Sequence, residues 1–277
     1  MAKTRRQLKV NTSDATLPAT RKQLLLTILK DDFYLIVDLS LTEALFSVPL
    51  IVALSFGYAF LTALKEVTFQ SVFSVVFYMG LISVPCFALK YVGRNAAFSV
   101  MKKRAHNEGC FITAQVFSSV RSSFVKSAFN GLIAGLFAFI AAVGSVYLLF
   151  VSSTFVKWVA TGALIVIFAV FYCAAQYFMA SENFYDLTFF AQLKNSLAFS
   201  LMYFPSSLLF FLLTAGVKFT LSLFAPWLFI LAIAIYSLVL NGLSVTVATL
   251  YAHKVFDDNI NRVNYPQYVG KGLKKDV

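Results

Sequence analysis

Six stretches of the chain, roughly 44–64, 69–89, 129–150, 156–180, 197–223 and 225–250, are each long and mainly apolar. Crossing the hydrocarbon core of a bilayer as a helix takes about 20 such residues. One soluble core could not hide this much apolar surface. The 277 residues are 60% hydrophobic and 13% charged, the latter about half the share of a soluble domain. A disordered chain, a secreted disulfide scaffold and an ordinary cytosolic enzyme are thereby excluded. The predicted class is an all-α polytopic membrane protein with six transmembrane helices arranged as three hairpins, one membrane domain in all.

Charge predicts the orientation. Seven Lys or Arg fall in residues 1–43, seven in 90–126, one in 181–196 and five in 252–277. The other faces of the spans carry only Lys65, Lys157 and Lys218. Basic loops stay in the cytoplasm, so both termini are expected there. Trp158 and Trp227 then start spans four and six at the outer interface, which indole rings prefer. The basic first 22 residues lack the apolar core of a signal peptide, so the first span is expected to remain in place.

A polar cytoplasmic segment leads into each hairpin: 21–46, 94–128 and 181–197. In the first, Leu24, Leu25, Ile28, Tyr34, Leu35 and Val37 suit an amphipathic helix lying in the interface. In the second, a basic edge of Lys102, Lys103 and Arg104 precedes Gly109, a turn. An apolar stripe of Phe111, Val116, Val120, Phe124 and Val125 follows. With Arg121 and Lys126, this basic edge is the expected binding surface for a protein partner or for anionic lipid headgroups. Nucleic acid is not expected, because the charge lies against the membrane.

No phosphate-binding GxxxxGK[ST], HExxH or GxSxG occurs, and the chain has only two His and three Cys without CxxC. No catalytic residue, cofactor or metal is predicted. As delimited above, the six stretches contain no Asp or Glu, which speaks against a proton-relay transporter. The polar residues expected to be buried in them are Asn130, Gln176 and Asn241, and Lys218 lies inside the fifth. The amides are read as interhelical hydrogen-bonding groups, and Lys218 as a side chain snorkelling to the outer interface. Gly131 and Gly135, in GLIAG, form a small-residue face for close helix approach. Pro205 is read as a kink within the fifth span.

The stretches DLSLTEALFSVPL at 38–50, VFSSVRSSFVKSAFNGL at 116–132, LKNSLAFSLMYFPSSLLFFLL at 193–213 and HKVFDDNI at 253–260 resemble the YesL-like family of bacterial membrane proteins. Lys194, Asn195 and Pro205 stand in that family's order. Glu43 departs from it, standing where an Asn is common. The resemblance implies a plasma-membrane protein associated with carbohydrate ABC import systems, and it brings no catalytic residues. The nearest candidate for a permease coupling loop, MASENFYDLTFF, lacks the paired alanines and the glycine. The expected function is a non-enzymatic accessory or scaffold subunit, with ABC permease subunits among its possible partners. A self-contained transporter or channel for a neutral solute is the alternative.

Overall fold

The computed structural model describes residues 17–211 and 236–274. In chain order the helices are α1 (Arg21–Asp31), α2 (Phe33–Thr62), α3 (Phe69–Ala105), α4 (Ile112–Phe150), α5 (Thr154–Phe184), α6 (Phe189–Met202), α7 (Phe204–Phe211), α8 (Asn241–Phe256) and α9 (Arg262–Asn264). Single π-helical turns, Tyr236–Leu240 and Asp257–Asn261, flank α8. The described residues contain no β-strand.

Local chemistry sets the helix starts. The Thr20 hydroxyl accepts from the Gln23 amide at the start of α1. Thr68 and Ser71 form a reciprocal capping box at α3, and the Ser153 hydroxyl caps α5. Each satisfies amides that the first helical turn leaves without a partner.

Four helices, α2 to α5, are long and apolar enough to cross a membrane. Within their most apolar windows only 11–22% of the residues are buried. A protein in water does the reverse, so these surfaces fit a lipid environment. Where α3 and α4 meet, Gly131 and Gly135 permit backbone contact: a Cβ on Gly131 would lie 2.6 Å from the Phe87 carbonyl oxygen.

Several expectations require correction. The second lead is not separate from the spans. With 37 and 39 residues, α3 and α4 are uninterrupted rods of about 55 and 58 Å at 1.5 Å per residue. Each is therefore far longer than a hydrocarbon core of about 30 Å and would project past it. Similarly, α2 runs unbroken from Phe33 through the first lead into the first span. Only α1 stands alone there, and it packs on protein: Leu24 and Ile28 belong to the buried core. The helix predicted from residue 197 is not kinked at Pro205 but broken at Tyr203, with α7 restarting at Phe204. Residues 212–223 of the fifth predicted span and 225–235 of the sixth, with Lys218 and Trp227, lie outside the described residues.

The projecting parts make a compact protein core. Residues 91–101 of α3 are buried without a break, so every face of that helix is covered. It is packed by α2, α4, α5 and α8. The core joins Leu35, Leu39, Phe98, Met101, Met179, Val245 and Phe256. A helix covered on all sides is normally apolar throughout, yet this one carries Arg94, Asn95 and Ser99, all buried. Those polar groups must find partners inside the protein.

Candidate functional site

Arg94 lies at the centre of the four-helix junction. Its Nη1 donates to Glu43 Oε2 on α2 at 2.6 Å. Its Nε and Nη2 donate to Gln176 Oε1 on α5 at 3.1 and 2.8 Å, and Nη2 also donates to Ser244 Oγ on α8 at 2.9 Å. The planar fork of guanidinium donors suits convergent acceptors of this kind. Lys90, one turn earlier on α3, places Nζ 4.0 Å from the second Glu43 oxygen. Glu43 is thus a buried carboxylate lying between two basic side chains.

The cluster lies at a common distance along its helices. Glu43, Lys90, Asn130 and Gln176 stand about 20 residues from the far ends of their helices at Thr62, Phe69, Phe150 and Thr154, the length that crosses the hydrocarbon core. They form one polar layer where the apolar rods give way to the packed core. Asn241 opens α8 one turn before Ser244 and is buried. Beside it, the Gly242 amide donates to Ser40 Oγ on α2 at 2.6 Å.

Helix α2 carries Asp38 and Glu43 in the part that precedes the predicted first span. Drawing the first span from residue 44 left Glu43 just outside it, although a lone Glu in LSLTEALF was the available signal. Arg94 had a signal too. Its neighbours Gly93, Ala96 and Ala97 are small, which suits close helix packing better than a solvated loop.

The structure places the predicted basic edge differently. Lys102 Nζ donates to the Asn183 carbonyl at 2.6 Å, and Lys103 pairs with Glu108 at 2.6 Å. Arg104 is buried and pairs with Asp32 at 2.7 Å. These charges brace the fold, so they are not a free edge. Lys126 Nζ donates to the Leu187 carbonyl at 3.2 Å and ties α4 to the start of α6. Arg121 is exposed. Of the predicted polar residues, Gln176 accepts from Arg94. Asn130 and Asn241 are buried, but Asn130 Nδ2 and Asn241 Oδ1 lack, among the described residues, the interhelical hydrogen bond expected of them. Lys218 lies outside the described residues.

A second cluster closes the projecting end. Arg21 donates to the carbonyls of Ala105 and Lys271, both at 3.0 Å, and pairs with Asp257 at 3.5 Å. It thereby joins α1, the end of α3 and the C-terminal segment. His106 and His253 lie with ring centroids 5.0 Å apart, and Phe184 stacks on His253. Gly272 sits on the Ala105 carbonyl at a φ of +82°, a conformation open to glycine and strained for other residues. Burial pushes the Glu108 carboxyl up, but hydrogen bonds from Lys103 and Lys271 pull it down to about 2.

Burial also pushes both imidazoles down. His106 falls to about 3, helped by Lys271 and Lys102 against Glu108. His253 falls to about 2, helped by Arg21, with Asp257 3.8 Å away as the opposing charge. A folded pKa below the ordinary 6.5 means that the unfolded chain takes up protons first. Stability is therefore whole above pH 6.5 and is lost progressively as pH falls toward 3. At pH 5 the penalty is about 2 kcal/mol for each histidine. The segment 265–274 should therefore exchange its amide hydrogens faster at pH 5 than at pH 7, after correction for intrinsic rates. Replacing His253 by Leu should remove about half of that acid sensitivity.

A small cavity beside the junction is lined by Cys173, Gln176, Tyr177, Ser207, Ala248, Tyr251 and Ala252, with room for about one water molecule. The described residues contain no grouping of three or more His, Cys, Asp or Glu that could hold a metal ion. The chain matches no protein-family model, no curated protein and no solved structure.

Proposed function

We propose that this protein is a non-catalytic accessory subunit of a bacterial membrane transport system. In this reading it has six spans in three hairpins, both termini in the cytoplasm, and a packed cytoplasmic end. The observation that carries it is the commitment of Arg94. Nε, Nη1 and Nη2 all donate to acceptors on three other helices, which suits a lock between helices better than a group poised for chemistry. The apolar outer faces of α2 to α5 are then available to lipid and to other membrane helices. Lys126 and the exposed Lys194 stand near the proposed boundary, where anionic headgroups can meet them. The resemblance to the YesL-like family adds carbohydrate ABC import as the setting, with permease subunits as partners.

Purification of the full chain in mild detergent tests this reading. Stoichiometric ABC permease subunits should accompany it, and its recovery as a solitary protein from cells with the transporter induced would overturn the assignment. Topology has its own check. Reporters fused after Val156 and after Val277 should report opposite sides of the membrane, and the same side for both would end the six-span arrangement.

The alternative reading, a channel or transporter for a neutral solute, would have to widen the water-sized cavity that Gln176 and Tyr177 share with Ser207 and Tyr251. Solute flux in liposomes holding the pure protein would support it, and accessory-subunit behaviour predicts none.

A further inference from the structure

Helix α4 continues past the polar layer for 18 residues, from Asn130 back to Ile112. One face of that extension is uncovered by any described residue. Phe117 is 75% exposed, Phe124 45% and Val125 77%, and Arg121 is exposed among them. Positions 117, 121, 124 and 125 follow helical spacing, so they form one stripe.

Depth decides what can cover it. If α4 crosses the bilayer between Phe150 and about residue 130, Phe117 stands about 20 Å beyond the hydrocarbon, at 1.5 Å per residue. Headgroups reach only about 5–7 Å beyond that core. Even a tilt of about 40° leaves Phe117 about 15 Å out. Val125, about 7.5 Å out at 1.5 Å per residue, stands at the outer edge of the headgroups, but Phe117 cannot rest on the bilayer.

Charge narrows the occupant further. Neither α4 nor α6 contains an Asp or Glu. A second copy docked symmetrically on the stripe would set Arg121 against Arg121. Residues 1–16 carry four Lys or Arg and one Asp, so this segment is the wrong sign as well. We propose that the α4 face centred on Phe117 and Arg121, held clear of the membrane, is the docking surface for an acidic amphipathic helix of a partner protein. Apolar residues of that helix would cover Phe117 and Phe124, and a carboxylate would pair with Arg121. The proposal rests on the reading that α4 spans a membrane. It moves the contact from the Lys102–Arg104 edge, whose charges are paired internally.

The test uses the full chain in neutral phosphatidylcholine nanodiscs. The probe is a labelled 18-residue helical peptide with Leu on one face and Glu on its flanks, compared with the same peptide bearing Lys for Glu. The acidic peptide should bind, more weakly as salt rises, and the basic one should not. Phe117→Ser should weaken binding at least tenfold, and Arg121→Glu should reverse the preference between peptides. Absence of binding, or binding unchanged in both variants, would overturn the proposal.

A depth measurement separates the other occupants. With Cys86, Cys110 and Cys173 replaced by Ala, a fluorophore on Phe117→Cys should escape lipid-borne quenchers that reach one on Phe129→Cys. Equal quenching would make the bilayer the occupant, and a disulfide-linked dimer through the introduced cysteine would make it a second copy. Either result overturns the docking surface while the reporter fusions still hold. Reporters on one side of the membrane would instead overturn the spanning topology itself.

Discussion

Arg94→Met should cost about 3–5 kcal/mol, the scale for removing one partner of a buried ion pair. The substitution takes from the buried Glu43 the cation that donates to it at 2.6 Å and leaves Lys90 at 4.0 Å. It also strips Gln176 Oε1 and Ser244 Oγ of their donor. Thermal unfolding in detergent, followed by intrinsic fluorescence, measures the loss. Glu43→Gln alone should cost less, because an amide oxygen still accepts from Arg94. The double variant Glu43→Met, Arg94→Met should recover part of the Arg94→Met loss, since it removes both charges together. A loss below about 1 kcal/mol for Arg94→Met, the scale of an exposed pair, would show that the junction is open to water and is no lock.

Gly242→Ala should be the other severe change, at about 2–3 kcal/mol, the upper range for overpacking a tight contact. A Cβ there would collide with the Ile36 carbonyl oxygen and come 2.8 Å from Ser40 Oγ. The first of these is backbone and cannot rotate away. The same substitution would also press on the hydroxyl that the Gly242 amide uses, separating α8 from α2. Gly162→Ala is the matched control, because a Cβ there meets nothing within 4 Å; it should leave stability unchanged. Equal melting curves for the two variants would contradict the close α2–α8 approach.

These two positions illustrate what could be read from residues alone. Gly242 beside Asn241 was visible as a small-polar pair, but small residues recur throughout such helices and carry no address. The i,i+4 spacing of Lys90 and Arg94 was visible too, and counted only as loop charge. The small neighbours Gly93, Ala96 and Ala97 mark Arg94 as packed, but nothing local names its partners, Glu43 51 positions away and Ser244 150 positions away. For Lys102, Lys103 and Arg104, the pattern of three cations at a helix end was plain, but their partners Asn183, Glu108 and Asp32 depend on how three separate segments meet.

The apolar runs by themselves determined that the chain is helical and that α2 to α5 are long enough to cross a membrane. That signal is additive along the chain: about 20 apolar residues in a row need no distant partner to favour a helix in lipid. Tertiary structure alone decided where those helices stop being membrane spans and become a protein core, and which charges are consumed there. A buried charge is tolerated only when its acceptors converge on it. Glu43, Gln176 and Ser244 converge on Arg94 only after four helices have packed.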